Sequence, residues 1–247
     1  MIYIDTTLSS PMRLPFYLAM EEYVARNVYQ GEDCFFMWQV NPTVIFGRNQ
    51  VIENEVNIDY CRSHGIEFYR RKSGGGCVYA DMGNVMLSYI TGEASVNDCF
   101  AYYMQMLTRA FNSIGIPAER NDHNDIMLNG QKISGNAMLH LSDRVIAHGT
   151  LLYDTNMQHM THAITPSMQK LQRNGVKSVR QRITLLKDFT PLSLADMKTR
   201  LRATLCSSAV CLGADDIATI KCIEQEYLDP HFIYGKKGGI PTTPHQQ

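Results

Sequence analysis

Residues 70–84 contain the residue types best suited to holding an anion. They read RRKSGGGCVYADMGN, so three consecutive glycines follow three consecutive positive charges. Glycine amides approach a phosphate closely because no Cβ intervenes, and a row of N–H groups makes an anion-binding nest. Arg70 and Arg71 can add charge-assisted bonds to a phosphate or a carboxylate. A plain turn is the alternative, since glycine clusters mark turns routinely.

A second set of candidate residues lies at 124–137, which read NDIMLNGQKISGNA. Lys132 is either a solvated charge on a strand or a cation aimed into a pocket, where it would hold an α-phosphate and polarise an acyl carbonyl. Asp125 is either a turn or surface residue or a ligand for Mg²⁺, which favours one or two carboxylates plus substrate phosphates.

Two further segments carry polar residues of interest. The stretch AHGTLL, residues 147–152, places His148 on a strand, where it is either a hydrogen-bonded structural histidine or a general base. The stretch NGVKSVRQR, residues 174–182, is a basic run after an asparagine-glycine pair. It is either a solvated face or a loop that closes over a nucleotide.

The elements that must position these residues follow from hydrophobic periodicity and turn signals. We predict helices at 16–29, 55–64, 96–115, 193–206 and 213–226, and strands at 34–40, 43–47, 66–71, 77–80, 85–90, 124–141 and 144–154. The first two strands are joined around Asn41-Pro42, and residues 81–84 form the turn between the fourth and fifth. Asn129-Gly130 is the tight turn of the strand pair within 124–141. The pattern predicts an α+β fold with a mixed, mainly antiparallel sheet flanked by helices.

Composition excludes several classes of protein. The chain has 247 residues and a formal net charge of −1, so it lacks the basic excess of a general nucleic-acid binder. No apolar run approaches the roughly 18 residues of a membrane span, and the N-terminus lacks a secretory pattern, so we expect no membrane partner and a cytoplasmic protein. The seven cysteines include no C-x-x-C pair, which argues against a disulfide framework and a structural zinc site.

The order and spacing of these motifs resemble the lipoate–protein ligase A family, whose biotin/lipoyl ligase-like catalytic domain is related to class II aminoacyl-tRNA synthetases. The family pattern RRxSGGGxVxxDxGN is met by residues 70–84, and NDhxxxGxKhxGxA by residues 124–137. The family strand HGTLL is met by residues 148–152, and the loop GhxSVRxRh by residues 175–183. The resemblance covers roughly residues 5–238, nearly the whole chain.

The resemblance implies an ATP-dependent ligase that joins lipoate to a lysine of an acceptor protein. It implies ATP and Mg²⁺ as cofactors, lipoate as substrate, and lipoyl domains of 2-oxoacid dehydrogenase E2 subunits or the glycine cleavage H protein as acceptors. It implies Lys132 as the catalytic residue and Asp125 as the metal ligand. The nucleotide and lipoyl contacts that it implies are Arg70, Arg71, Ser73, Gly74, Gly75, Gly76, Cys77, Val78, Tyr79, Asn84, Asn124, Lys132, Gly135, Ala137, His148, Gly149 and Arg180.

Within that set the resemblance implies separate tasks. Arg71 meets the nucleotide phosphates, and residues 76–79 contact the adenylate. Gly74 and Gly75 line the lipoyl tunnel and its carboxylate end, and Lys132 touches both the α-phosphate and the lipoyl carbonyl.

Two departures from the family pattern leave alternatives open. Cys77 stands where the family most often has a small residue such as alanine, and ATP-independent octanoyl or lipoyl transferases of this fold use a cysteine nucleophile. A non-catalytic lipoyl-adenylate-binding subunit is a further alternative. Many ligases also carry a C-terminal accessory domain, whereas we expect a catalytic domain at 1–238 and a flexible tail at 239–247. The enzyme then works alone, with a separate accessory-domain protein, or as a specialised form.

Overall fold

Two β-sheets form the frame of the molecule. A computed structural model describes residues 1–8, 11–92, 95–121, 124–141, 143–165 and 182–235. The strands are β1 (Ile2–Thr6), β2 (Cys34–Trp38), β3 (Thr43–Phe46), β4 (Glu67–Arg70), β5 (Val78–Ala80), β6 (Asn84–Thr91), β7 (Glu119–Arg120), β8 (Asp125–Leu128), β9 (Gln131–Leu141), β10 (Arg144–Leu152) and β11 (Ser208–Leu212). The large sheet has the order β11-β1-β2-β6-β10-β9-β8-β7, and the small sheet has the order β4-β3-β5.

Helices cover both faces of the large sheet. They are α1 (Leu14–Tyr23), continued by a π-helical turn (Val24–Val28), α2 (Ile52–Glu55), α3 (Ile58–Ser63), α4 (Val96–Ser113), α5 (Met157–Ala163), α6 (Leu194–Leu205), α7 (Ala214–Leu228) and α8 (Pro230–Tyr234), with a 3₁₀ turn at Leu186–Asp188. None of the described helices is long and apolar enough to cross a membrane.

Each face of the large sheet has its own apolar core, because side chains alternate along every strand. On one face, Tyr103 and Leu107 of α4 and Leu201 of α6 pack in a cluster with sheet residues such as Leu87 and Leu151. The opposite face packs against α1, α7 and the small sheet. This second cluster includes Phe16, Leu18, Ile45, Ile90, Ile146 and Ile220. The glycine-rich segment connects β4 to β5 at the edge of this second layer.

The predicted fold class is confirmed, and so are most of the elements. Asn129 has φ 51° and Gly130 has φ 76°, the left-handed pair that a two-residue turn needs, and they join β8 to β9. The long helix at 96–115 occupies Val96–Ser113, and Ser95 caps it through a hydrogen bond from the amide of Asp98. The two late helices are α6 and α7.

Asn41-Pro42 links β2 to β3 and residues 81–84 form a turn closed by a 3.0 Å hydrogen bond from Asn84 N–H to the Asp81 carbonyl, as predicted, but the strands on either side of each link do not pair with each other. β2 pairs with β6 and β1 in the large sheet, whereas β3 pairs with β4 and β5 in the small one. The Asn41-Pro42 segment therefore crosses between sheets and closes no hairpin. Residues 81–84 likewise lead from β5 in the small sheet to β6 in the large one.

Further differences concern shorter elements. The helix predicted at 55–64 corresponds to α3 and begins later than predicted, because the chain is extended at Val56 and Asn57 caps the helix; Glu55 ends the separate helix α2. β1 and β11, which pair in parallel along their full length, were not predicted, and neither were β7, α5 and α8. The tail predicted at 239–247 lies outside the described residues.

Candidate active site

The guanidinium of Arg70 is turned into the protein. Its Nη1 donates to the backbone carbonyls of Arg48 at 2.9 Å and Gln50 at 2.8 Å. Its Nε donates to the carbonyls of Phe232 and Ile233, both at 2.9 Å. Arg70 is buried, and its hydrogen bonds join β4 to α8. Its side chain therefore has a structural role.

Lys72 is also held by the protein itself. Its Nζ lies 2.7 Å from a carboxylate oxygen of Glu22 on α1 and 2.8 Å from one of Glu226 on α7. The same Nζ lies 4.8 Å from the ring centroid of Tyr227. The positive charges that precede the glycines therefore fix neighbouring elements together, which the sequence pattern alone does not reveal.

Arg71 organises the glycine loop from within. Its Nη2 donates to the carbonyls of Gly74 at 2.6 Å and Gly76 at 2.8 Å, and its Nη1 donates to the carbonyl of Ile45 at 3.2 Å. Burial lowers the pKa of Arg71 to about 10, so it stays protonated at neutral pH. The buried Arg71 cation therefore binds the carbonyls of Gly74 and Gly76 on one side of the loop.

The amides of the loop point the other way. In a trans peptide the C=O and the N–H are antiparallel, so the N–H groups of Gly75 and Cys77 are directed away from the Arg71 guanidinium. Among the described residues, no hydrogen bond uses the N–H of Gly74, Gly75 or Gly76 as donor. Gly75 has φ 92°, a conformation that requires glycine. The N–H of Gly75 is thus directed away from Arg71 with no acceptor among the described residues, and the anion-binding nest itself stays a prediction.

Strand β9 lies beside this loop. A Cβ built on Gly75 would lie 3.9 Å from the Cβ of Ala137, which is an ordinary contact. Farther along β9, Lys132 folds back across Gly135, where a Cβ would lie only 2.3 Å from the lysine Nζ. Gly135 therefore provides the space in which the ammonium group sits.

Asp125 on β8 holds Lys132 in that place. Its Oδ1 lies 2.6 Å from Lys132 Nζ, and its Oδ2 lies 2.7 Å from Arg182 Nη2. Burial by itself would raise the pKa of Asp125, but the Lys132 and Arg182 charges outweigh that effect and lower it. The site therefore has two cations gathered on one buried carboxylate. Asn124 beside it has an exposed side chain, and its carbonyl accepts from the backbone N–H of Asn136 at 2.9 Å.

Other predicted contacts are enclosed. Asn84 is fully buried, and its amide donates to the carbonyl of Tyr79 at 3.1 Å and to Thr155 Oγ1 at 3.2 Å. Tyr79 is buried as well, whereas Val78 and Cys77 are half-buried at the edge of the glycine loop. The geometry favours structural roles for Asn84, Tyr79 and Arg70, and nucleotide contacts by these three stay predictions.

His148 and Ser73 contact each other in the interior. Ser73 Oγ lies 2.7 Å from His148 Nε2, and His148 Nδ1 lies 2.9 Å from Glu21 Oε2. Gly149 next to His148 leaves room for Asn136, since a Cβ there would lie 2.0 Å from Asn136 Oδ1.

Residues 14–206 match the lipoyl protein ligase A/B catalytic domain. The chain belongs to this family. It is 37% identical to lipoate–protein ligase 1 of Staphylococcus aureus over 216 residues, 85% of this chain and 63% of that relative. It is 35% identical to lipoate-protein ligase LplJ of Bacillus subtilis over 193 residues, 76% of this chain and 57% of that relative. The chain thus spans about three fifths of the length of these curated relatives.

Solved structures show the same fold. Protein Ta0514 from T. acidophilum with bound lipoic acid superposes with a TM-score of 0.81 at 21% identity, covering 95% of this chain and 99% of that one. Lipoate-protein ligase A bound with ATP superposes with a TM-score of 0.81 at 22% identity, covering 95% of this chain and 98% of that one.

Within this lipoyl ligase domain, the structure gathers one part of the predicted site. Gly75 lies beside Ala137 of β9, and two residues earlier on the same strand Gly135 makes room for Lys132, which pairs with Asp125. Arg180 lies outside the described residues.

Sequence reasoning missed two contributors. Arg182 belongs to the basic run at 174–182, so that run gave a signal for it. Glu21 gave none, because a glutamate on a helix is ordinarily solvated.

Proposed function

We propose that this chain is the catalytic domain of an ATP-dependent lipoate–protein ligase. The observation that carries the proposal is the glycine loop, whose carbonyls are held by Arg71 and whose amides of Gly74, Gly75 and Gly76 have no acceptor among the described residues. A row of such donors beside an ammonium group suits a phosphate joined to an acyl group. The family membership supports lipoate as the acid.

In the first step, the carboxylate of lipoate attacks the α-phosphate of ATP. An acyl-adenylate forms, and the bond to pyrophosphate breaks. Negative charge on the α-phosphoryl oxygens would meet the Lys132 ammonium and the amide of Gly75, whose peptide is held by the bond from Arg71 to the Gly74 carbonyl, so these donors need no reorganisation at the moment of reaction. Positioning and electrostatics therefore suffice, and Lys132 does not act as a nucleophile.

In the second step, the ε-amine of an acceptor lysine attacks the activated carbonyl, and AMP leaves. The carbonyl oxygen gains negative charge as the tetrahedral intermediate forms. Lys132 would contact both this oxygen and the α-phosphate. Half-buried Cys77 and Val78 border the adenylate at the end of the glycine loop.

Asp125 is the carboxylate that we propose for a shared Mg²⁺, and it would have to exchange Lys132 or Arg182 for the ion. It supplies a buried carboxylate whose low pKa keeps it ionised, and Mg²⁺ commonly takes one or two carboxylates with substrate phosphates. The exposed side-chain amide of Asn124 offers a neighbouring oxygen. When bound, the ion would neutralise phosphate charge. Both oxygens of Asp125 already contact cations, so the protein residues gather positive charge here themselves.

We propose a lipoyl domain of a 2-oxoacid dehydrogenase E2 subunit or the glycine cleavage H protein as the acceptor. The catalytic domain extends at least through α8, because Arg70 binds the carbonyls of Phe232 and Ile233. We place its end near residue 238. The relatives are longer than this chain, which supports a role for an accessory domain, supplied by a separate protein if not by the same polypeptide. The site needs only soluble substrates, which supports a cytoplasmic enzyme.

The test is ATP–pyrophosphate exchange with lipoate, octanoate and biotin side by side. We expect exchange with lipoate, and we expect Lys132→Ala to lose on the order of 10²–10³-fold in kcat, as removal of a transition-state donor does. Lys187→Ala is the matched control, because Lys187 is also ion-paired, 2.7 Å from Asp154, but is exposed and outside the site. Equal rates for the two variants would refute the role of Lys132.

The transferase alternative depends on Cys77, which follows the glycines directly and is half-buried. A thiol nucleophile would act without ATP and would form a thioester. We expect Cys77→Ala to retain ATP-dependent lipoylation of a lipoyl domain within about threefold. Complete loss of transfer, together with ATP-independent transfer by the unmodified protein, would favour the transferase.

A further inference from the structure

A continuous line of hydrogen bonds runs from the core to the glycine loop. Trp38 Nε1 donates to Ser88 Oγ at 2.8 Å, and Ser88 donates to Glu21 Oε1 at 2.6 Å. His148 bridges Glu21 Oε2 at 2.9 Å and Ser73 Oγ at 2.7 Å. Neither step of the proposed reaction uses these groups.

The line ends on the cation that shapes the loop. Arg71 Nε donates to Ser73 Oγ at 3.0 Å, while the Nη2 of the same guanidinium holds the carbonyls of Gly74 and Gly76. The orientation of Ser73 therefore bears directly on the orientation of the Arg71 fork.

Proton positions follow from the partners. The Glu21 carboxylate only accepts, so the imidazole proton lies on Nδ1 of His148 and Nε2 accepts from the Ser73 hydroxyl. A lone pair of the Ser73 oxygen then accepts from Arg71. Each acceptor in the line thus faces one donor, and a change of tautomer in His148 breaks that match.

Serine, histidine and carboxylate follow one another here as in a hydrolytic triad, but the setting differs. Ser73 is 1% exposed, Glu21 2% and His148 8%. A nucleophile must reach its substrate, whereas the Ser73 oxygen is enclosed and already bonded to a guanidinium. The line therefore suits the task of fixing geometry.

We propose that Glu21 and His148 are positioning residues for the adenylate site. Through Ser73 they fix Arg71 against the loop carbonyls, and so they keep the glycine amides directed at the ligand. The choice of an adenylate as that ligand rests on the proposed function, whereas the fixing of the loop does not.

Replacing Glu21 by glutamine tests the line with little change of shape. The glutamine amide brings two donors into a chain that had one donor for each acceptor. Turned toward His148, the amide forces the other tautomer, and Ser73 then faces donors from both His148 and Arg71. Turned toward Ser88, the amide duplicates the Trp38 donor, and its oxygen accepts from His148 as a neutral group in place of a carboxylate. In either orientation His148 loses its charge-assisted bond to Glu21, which weakens or reverses the hold on Ser73.

Glu22 provides a matched control on the same helix. It is also 2% exposed, but its partners are Lys72, Tyr227 and Arg26, and it has no bond to His148. Glu21→Gln and Glu22→Gln thus remove one buried carboxylate each, and only the first lies on the line to Ser73.

Two measurements are made on both variants and on the unmodified protein. The first is the ¹⁵N order parameter of the Gly74, Gly75 and Gly76 amides in the free protein. We expect about 0.85 in the unmodified protein and in Glu22→Gln, and a fall toward 0.6 in Glu21→Gln. The second is lipoate-dependent ATP–pyrophosphate exchange. We expect Glu21→Gln to lower kcat on the order of 10²-fold with KM for ATP within about threefold, as for misplacement of transition-state donors.

The outcomes separate the two proposals. Equal order parameters and equal kcat in the two variants would overturn the positioning role. Covalent labelling of Ser73 by a fluorophosphonate would overturn it as well, because it would make Ser73 an accessible nucleophile. If the unmodified protein shows no exchange with any acid, the proposed function fails, and the order parameters alone decide whether the line fixes the loop.

Discussion

Replacement of Gly135 by alanine separates the position of Lys132 from the stability of the fold. The added Cβ would lie 2.3 Å from Lys132 Nζ and 2.6 Å from its Cε. Ordinary contact begins near 3.4 Å, so the ammonium must retreat by about 1.1 Å, the difference between 3.4 and 2.3 Å. A displacement of about 1 Å at a reacting centre costs on the order of 10²-fold in rate.

The stability of the Gly135→Ala variant should change little. The atom that must move is the far end of a flexible side chain, and the φ of Gly135 does not lie in the left-handed region. Alanine is also favoured over glycine within a strand by roughly 0.5–1 kcal/mol, which offsets part of the loss of the contact with Asp125. We expect the urea midpoint of unfolding to shift less than it does when a buried core side chain is truncated.

The assay is lipoate-dependent ATP–pyrophosphate exchange, measured beside urea unfolding. We expect kcat to fall by about 10²-fold while the protein stays folded. A Gly135→Ala variant with unchanged exchange would show that the reaction does not need Lys132 where the structure places it. Loss of the folded state would show that the lysine cannot move aside as the geometry predicts.

Two further predictions concern stability. Gly83→Ala should destabilise the fold by about 2–3 kcal/mol in urea unfolding, because its Cβ would meet the backbone carbonyl of Asp154 at 2.0 Å, and a backbone atom cannot step aside as a lysine can; an unchanged midpoint would contradict this. Asp125→Asn should cost stability at neutral pH, and the difference from the unmodified protein should disappear in acid. The folded pKa of Asp125 is lowered, so its contribution is complete above the ordinary value of 3.8 and is lost as the pH falls through the folded pKa; a difference that persists at the acid end would refute the ion-pair origin.

Sequence reasoning succeeded where the signal was local. The Asn129-Gly130 turn needs two left-handed residues in succession, and few residue pairs other than Asn-Gly provide them. The hydrophobic periodicity that predicted a helix at 96–115 is the local signal of the buried face that Tyr103, Leu107 and Phe111 of α4 form against the sheet. In both cases the residues that carry the sequence signal are the residues of the turn or helix itself.

Sequence reasoning failed where partners are distant in the chain. A proline-containing link between two short strands has the same local appearance whether the strands pair or part, and only packing against α1 and the small sheet decides that β3 leaves β2. The charges of Arg70 and Lys72 carry no mark that their partners lie in α7 and α8, more than 150 residues away. Glu21 was unforeseen for the same reason, because its partner His148 comes from β10.

The grip of Arg70 on α8 has a practical consequence for anyone who shortens or fuses this polypeptide. A cut before Phe232 would strip two acceptors from the buried guanidinium of Arg70, and we expect the change to reach the adjoining Arg71 along β4. A reporter or affinity tag inserted within α8 would disturb the same hydrogen bonds. The last helix thus stabilises a site more than 150 residues upstream. We expect its removal to lower activity before it lowers the free energy of unfolding measurably.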